Sequence, residues 1–183
     1  QLPDWNAPSL ILFTSGTTGV AKGVPLSERA LRETAINFAL LSRIDRTSAV
    51  LCEAPMFHII GLVSNIRPAL THGGTIDPAR LRHMVALISG GAPHDRADQQ
   101  AWIDDGIPMV IGYGMSEAGT IFGMPLDCGI LAEKLGSVGL SMPGVEMRIC
   151  SANGSLVAPG EPGELKLRGT NVFCGYWRNA QET

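Results

Sequence analysis

Lysine is scarce in this chain of 183 residues: Lys22, Lys134 and Lys166 are the three lysines among 14 basic residues, so the place of each matters. Acidic residues number 17, and the formal net charge of -3 gives no support to a nucleic-acid-binding surface, which normally carries a basic excess. The four cysteines (Cys52, Cys128, Cys150, Cys174) form no CxxC pair and have no run of histidines beside them. They read as reduced thiols of a cytoplasmic protein, and disulfides or zinc are disfavoured. No apolar stretch reaches membrane-spanning length, and no basic-then-apolar leader opens the chain. Low-complexity linkers and internal repeats are also missing. The expectation is a soluble, weakly acidic, cytoplasmic domain.

What is present suffices for a core. Hydrophobic residues make up 45% and charged residues 17%, which excludes wholesale disorder. Ser9 to Phe13 is a short apolar run that ends in a Gly/Thr/Ser cluster and predicts a buried strand. Ser27 is placed to cap a helix running to about Ile44, with Leu31, Ala35, Phe38 and Leu41 on its apolar face. Ser48–Ala54 predicts a strand, Ile59–Leu70 a helix as far as Pro68, Met84–Ser89 a strand, Asp95–Asp104 a polar helix and Pro108–Gly112 a strand. Up to about Thr120 this alternation predicts α/β class: a largely parallel sheet flanked by helices. Beyond it, Val145–Cys150, the turn Ala152–Ser155 and Glu164–Arg168 predict an appended antiparallel β subdomain, Asn153-Gly154 being a strong hairpin signal.

Chemistry concentrates first in Thr14–Gly23 (TSGTTGVAKG). Three glycines, four hydroxyls and one lysine fall within ten residues, directly after a predicted strand. Glycines let backbone N–H groups approach a ligand, hydroxyls donate to oxyanions, and lysine adds a point charge. Composition alone fits a solvated turn equally well; the residue order favours phosphate. The loop is not a Walker A motif, because Gly23 follows Lys22 where a Ser or Thr would bind magnesium, and Ala21 precedes it. A generic P-loop phosphotransferase is therefore disfavoured.

The stretch TSGTTGVAKGV closely resembles the signature loop TSGTTGxPKGV of the adenylate-forming superfamily, which includes acyl- and aryl-CoA synthetases and peptide-synthetase adenylation domains; Ala21 replaces its proline. Further segments resemble the family's motifs in the family's order. Ala54–Leu62 (APMFHIIGL) is similar to the motif whose aromatic or His gates the acyl pocket, here His58. Ser89–Pro93 (SGGAP) is similar to the segment lying along adenine, and Gly112–Glu117 (GYGMSE) to YGxTE. Gly136–Gly139 (GSVG) and Gly160–Gly169, followed by Gly175-Tyr-Trp, match later motifs that read as structural.

The resemblance implies a site residue by residue. Thr14, Ser15, Gly16, Thr17, Thr18 and Gly19 would hold the phosphates together with Lys22. Gly90, Gly91, Ala92 and Pro93 would border adenine, and Tyr113 would stack on it. Ser116 would contact the α-phosphate, and Glu117 would hold magnesium. Lys22, Ser116, Glu117 and His58 are the catalytic candidates. The implied reaction is an ATP-dependent, Mg²⁺-assisted ligation of a carboxylic acid to a thiol, coenzyme A or a carrier protein, by way of an acyl adenylate. Met115-Ser116 and the apolar Ala54–Phe57 favour an acyl or aryl acid over an amino acid.

The sequence departs from that pattern in places. The family's T-G-D, hinge Arg and catalytic Lys of the small C-terminal domain have no counterpart here, since Lys134 and Lys166 fall in other motifs. Between Thr71–Ile76 and Asp77–Arg80 a strand, a helix and a further strand–helix unit of the family are missing, so an internal break near Ile76/Asp77 is expected. The expected division is residues 1–135, the nucleotide- and acyl-binding portion, and residues 136–183, a β-rich subdomain. Taken at face value, the missing groups point to the competing reading, a non-catalytic nucleotide- or acyl-binding fragment.

Overall fold

The computed structural model describes residues 4–14, 20–76, 85–126 and 129–183. Strands β1 (Pro8–Thr14) and β2 (Lys22–Ser27) pair antiparallel, with Thr14 opposite Lys22. Ser27 then caps helix α1 (Glu28–Leu41), its hydroxyl accepting the Ala30 N–H at 3.2 Å. The helix buries Leu31, Ala35 and Phe38, as their spacing predicts, while Leu41 is half-buried. It ends before Ile44 because Arg43 turns to a φ of 52°, closing the end with the Ile44 N–H on the Ala39 carbonyl at 2.9 Å.

The expected strand at Ser48–Ala54 is reduced to one parallel bridge, Ala49 with Thr75. The predicted helix from Ile59 is π-helical over Ile60–Ile66 and continues as α2 (Arg67–Thr71), passing through Pro68. Pro68 lies at the junction where the π-helical pattern gives way to the α-helical one.

A four-stranded sheet carries β3 (Leu87–Gly90), β4 (Met109–Met115), β5 (Gly119–Gly123) and β6 (Leu140–Ser141) in that order. Helix α3 (Arg96–Asp104), capped by Asp95, connects β3 to β4. Buried Gln99 fixes it by donating to the Met109 carbonyl at 2.9 Å and accepting the Gly136 N–H at 2.8 Å. The α/β class and the appended antiparallel hairpin, β7 (Val145–Cys150) with β8 (Glu164–Gly169), stand as expected. The parallel share is smaller than the alternation suggests: β3–β4 is the parallel ladder among the described residues, while β1–β2, β4–β5 and β5–β6 are antiparallel. For β4–β5 a short connection causes this, since a tight turn can return the chain only antiparallel, whereas β5 and β6 are joined by the longer stretch 124–139. β6 belongs to the four-stranded sheet, so the separate hairpin starts at Val145 rather than at 136. After the Asn153-Gly154 turn, Leu156 makes a single bridge to Cys150, and the full ladder waits for β8.

Two cores result. Leu12, Val24 and Leu26 of the first hairpin pack with Leu31, Ile59 and Val63, and Phe173 and Tyr176 lie against them. Ala118, Ile121, Met142 and Val145 form the second, beneath β5 and β7. Cys52, Cys150 and Cys174 are free thiols; Cys128 lies outside the described residues. Among the described residues no helix is long and apolar enough to cross a membrane.

Candidate nucleotide and acyl site

A cleft of about 210 Å³ opens where the carboxyl ends of the parallel strands meet the π-helical stretch. Ser89, Gly90 and Gly91 form one wall, Gly112–Ser116 another, and His58, Ile60, Ser64 and Asn65 a third. Crevices outside the carboxyl ends of parallel strands are the usual ligand positions in α/β sheets. A π-helical turn is likewise common at functional sites. Here it is pinned to the sheet by the buried Ser64 hydroxyl, 3.0 Å from the Thr120 hydroxyl of β5.

Small residues let the walls approach. Gly90 pairs with Gly112 across the parallel ladder, and a Cβ on Gly90 would meet the Gly112 carbonyl oxygen at 2.8 Å. In the β4–β5 hairpin the register shifts after Tyr113, leaving Gly114 opposite Thr120. Such a bulge re-aims side chains next to a site. Tyr113 is 41% exposed, tilted at 48° against Phe122 with ring centroids 6.0 Å apart, and lines the cleft with its ring available to a flat base.

The sequence-predicted residues fall into three groups. Gly90, Gly91, Tyr113, Ser116 and His58 line the cleft. His58 is exposed and accepts the Ile60 N–H on Nδ1 at 3.2 Å. Ala92 and Pro93 are exposed and stand outside the cleft wall. Thr14 closes β1 beside Lys22, whereas Ser15, Gly16, Thr17, Thr18 and Gly19 lie outside the described residues.

Lys22 and Glu117 belong to a separate cluster at the rim. The side chain of Lys22 is only 12% exposed; its ammonium pairs with Glu182 and lies 5.3 Å from the centroid of the Tyr176 ring. The Tyr176 hydroxyl donates to Glu117 Oε1 at 2.7 Å. That bond, helped by burial and by the charges of Glu117 and Glu182, pushes the phenol up to about 12. Glu117 directly follows cleft-lining Ser116 in the β4–β5 turn, so the chain Lys22–Tyr176–Glu117 links the β1–β2 hairpin to the cleft.

Glu182 and His94, whose Nε2 sits 2.6 Å from the Ser89 hydroxyl, were not singled out by the motifs, and Tyr176 lies in the Gly175-Tyr-Trp match that reads as structural. Tyr176 had two signals: its place in that match, and the scarcity of tyrosine, the other of the chain's two being Tyr113 in the cleft.

The family model for AMP-binding enzymes matches residues 1–80 and 77–177 of this chain. The chain belongs to the AMP-binding enzyme family. Its curated relatives include a feruloyl-CoA synthase of an Amycolatopsis species, 30% identical over 213 positions covering 95% of this chain and 43% of that enzyme. An indoleacetate–CoA ligase of Aromatoleum aromaticum is 31% identical over 216 positions, covering 95% of this chain and 42% of the ligase. The ATP-bound crystal structure of MatB from Rhodopseudomonas palustris superposes with a TM-score of 0.88 at 25% identity, over 99% of this chain and 43% of MatB. The chain therefore spans about two-fifths of the length of these AMP-binding relatives.

Proposed function

We propose that this chain forms the adenylating part of an AMP-forming acid–thiol ligase of the acyl- or aryl-CoA synthetase type. The observation that carries the reading is the convergence of Ser89–Gly91, Tyr113, Ser116 and His58 on one cleft, with Lys22 and Glu117 joined at its rim through Tyr176. Adenine would lie between the Gly90–Gly91 backbone and Tyr113, and the acid beside His58 and the π-helical stretch. A carboxylate oxygen would attack the α-phosphorus, forming the acyl–phosphate bond as the bond to the β-phosphate oxygen breaks and pyrophosphate leaves. A thiol, coenzyme A or a carrier arm, would then take the acyl carbon with AMP departing. Because charge builds on phosphate oxygens, positioning and electrostatics carry the first step.

Lys22 would neutralise the outgoing pyrophosphate, with Glu182 as the counter-ion that phosphate oxygens displace. Magnesium fits this donor set. Among the described residues no group of three or more His, Cys, Asp or Glu converges, so the ion would rest on Glu117, substrate phosphates and water, the usual arrangement for magnesium. It would supply charge neutralisation on the phosphates.

We also infer that the chain is internally shortened. The matched stretches of 213 and 216 positions exceed the 183 residues of the chain, and the family model meets it in two pieces that join at 77–80, which supports a gap beside Ile76/Asp77.

The deciding experiment is acid-dependent ATP–pyrophosphate exchange across fatty, aryl and amino acids. Exchange with aryl or fatty acids supports the ligase reading, and exchange confined to amino acids would overturn the substrate class. ATP binding without exchange would limit this chain to nucleotide binding.

A further inference from the structure

The segment that follows β8 touches both halves of the rim. Asn171, buried, donates from Nδ2 to the Ala118 carbonyl at 2.6 Å, and the Phe173 N–H donates to the Glu117 carbonyl at 2.8 Å. The Trp177 N–H donates to the Gly23 carbonyl at 2.7 Å, next to Lys22. Between these anchors Tyr176 packs edge-on against Phe173, ring centroids 4.9 Å apart, with its ring beneath the Lys22 ammonium and its hydroxyl on Glu117 Oε1. One aromatic side chain thus contacts both charged groups assigned to the triphosphate.

We propose that Tyr176 is a positioning residue for Glu117, holding one carboxylate oxygen so that the other is presented to a divalent cation on the nucleotide. This rests on the nucleotide-site reading above. The glutamate lies in a turn and is half-exposed, so without a partner its carboxylate would sample several rotamers and lose that entropy on each binding event. The backbone bonds at Asn171, Phe173 and Trp177 fix where the phenol stands, and the phenol fixes the carboxylate. The β7–β8 hairpin acquires a role by this route: it anchors the strap that aims a metal ligand.

The test is ATP binding by the intact chain, measured calorimetrically in excess MgCl₂ and again in EDTA. Tyr176→Phe keeps the ring beneath Lys22 and the packing on Phe173, and removes only the hydroxyl. The expected result is unchanged affinity in EDTA and an approximately ten-fold loss of the tightening that Mg²⁺ gives, the usual scale for losing a partner that orients a ligand. Glu117→Gln should lose the same tightening, and the double variant should be no worse than Glu117→Gln alone. Equal weakening with and without Mg²⁺ would make Tyr176 merely structural and overturn the proposal, as would full Mg²⁺ tightening in Tyr176→Phe or additive losses in the double variant. Failure of the unsubstituted chain to bind ATP at all would overturn the site reading and this inference together.

Discussion

The two hairpins β4–β5 and β7–β8 are built to opposite rules. β7–β8 pairs six residues without a register shift, from Val145 with Gly169 to Cys150 with Glu164, and exposes most of its side chains. Its ion pairs, Arg168 with Glu146 and Lys166 with Glu164, face solvent. β4–β5 is largely buried, shifts register after Tyr113, and packs backbone so tightly that a Cβ on Gly114 would meet the Gly119 carbonyl oxygen at 2.2 Å. The irregular hairpin carries Tyr113, Ser116 and Glu117; the regular one carries none of the candidate site and supports it through the strap at 171–177. The candidate residues lie where the ladder is broken, where a bulge and bare backbone allow a ligand to approach.

Substitutions should separate the two sharply. Gly114→Ala should have the largest effect. Its new methyl meets backbone, which cannot swing aside, so stability should fall by about 3 kcal/mol and nucleotide binding should go with it; urea unfolding and ATP titration check both. Lys22→Ala should keep the fold and weaken ATP binding by about ten-fold or more, the scale of a lost charge-assisted hydrogen bond. Unchanged ATP affinity in that variant would remove the lysine from the site.

Next comes the Tyr176–Glu117 bond. Tyrosinate absorbance should show one phenol ionising near 12 in the native chain. In Glu117→Gln it should fall toward the ordinary 10, since the negative charge that holds the proton is gone and an amide oxygen is a weaker acceptor than a carboxylate. The raised value also means that folded Tyr176 keeps its proton where the unfolded chain loses it. Its contribution to stability is therefore full below about 10 and disappears as pH rises to about 12.

The smallest effect should come from the regular hairpin. Arg168→Ala breaks an exposed pair with Glu146 and should change stability by less than about 0.5 kcal/mol, read in the same urea assay, without altering ATP affinity. A large loss of ATP binding there would mean that the hairpin does more than anchor the strap.

Much of this was legible in the sequence, unevenly. Ser27 as a cap, the Leu31/Ala35/Phe38 face and β7–β8 follow from local rules of capping and periodicity, and the structure keeps them. Strand direction was less legible: alternation suggested a parallel sheet, but the turn at Ser116–Ala118 is too short for anything but antiparallel return. The cleft residues Gly90, Gly91, Tyr113, Ser116 and His58 came from motifs, and they converge. Tyr176 reads as structural within Gly175-Tyr-Trp and Glu182 is not read at all, because their importance is a contact, not a pattern: Lys22 and Glu182 are 160 residues apart and meet only when the chain end folds back to the first hairpin. Local sequence carries no record of such a closure.

The central claim is that the cleft between β3, β4 and the π-helical stretch takes the nucleotide, with Tyr113 against its base. The most direct measurement is the quenching of chain fluorescence by AMP, compared between the native chain and Tyr113→Ala. Saturable binding in the native chain that is weakened about ten-fold in Tyr113→Ala, the scale of a lost base–aromatic stack, is the result expected. Saturable binding with equal affinity in both would place the nucleotide elsewhere and contradict it.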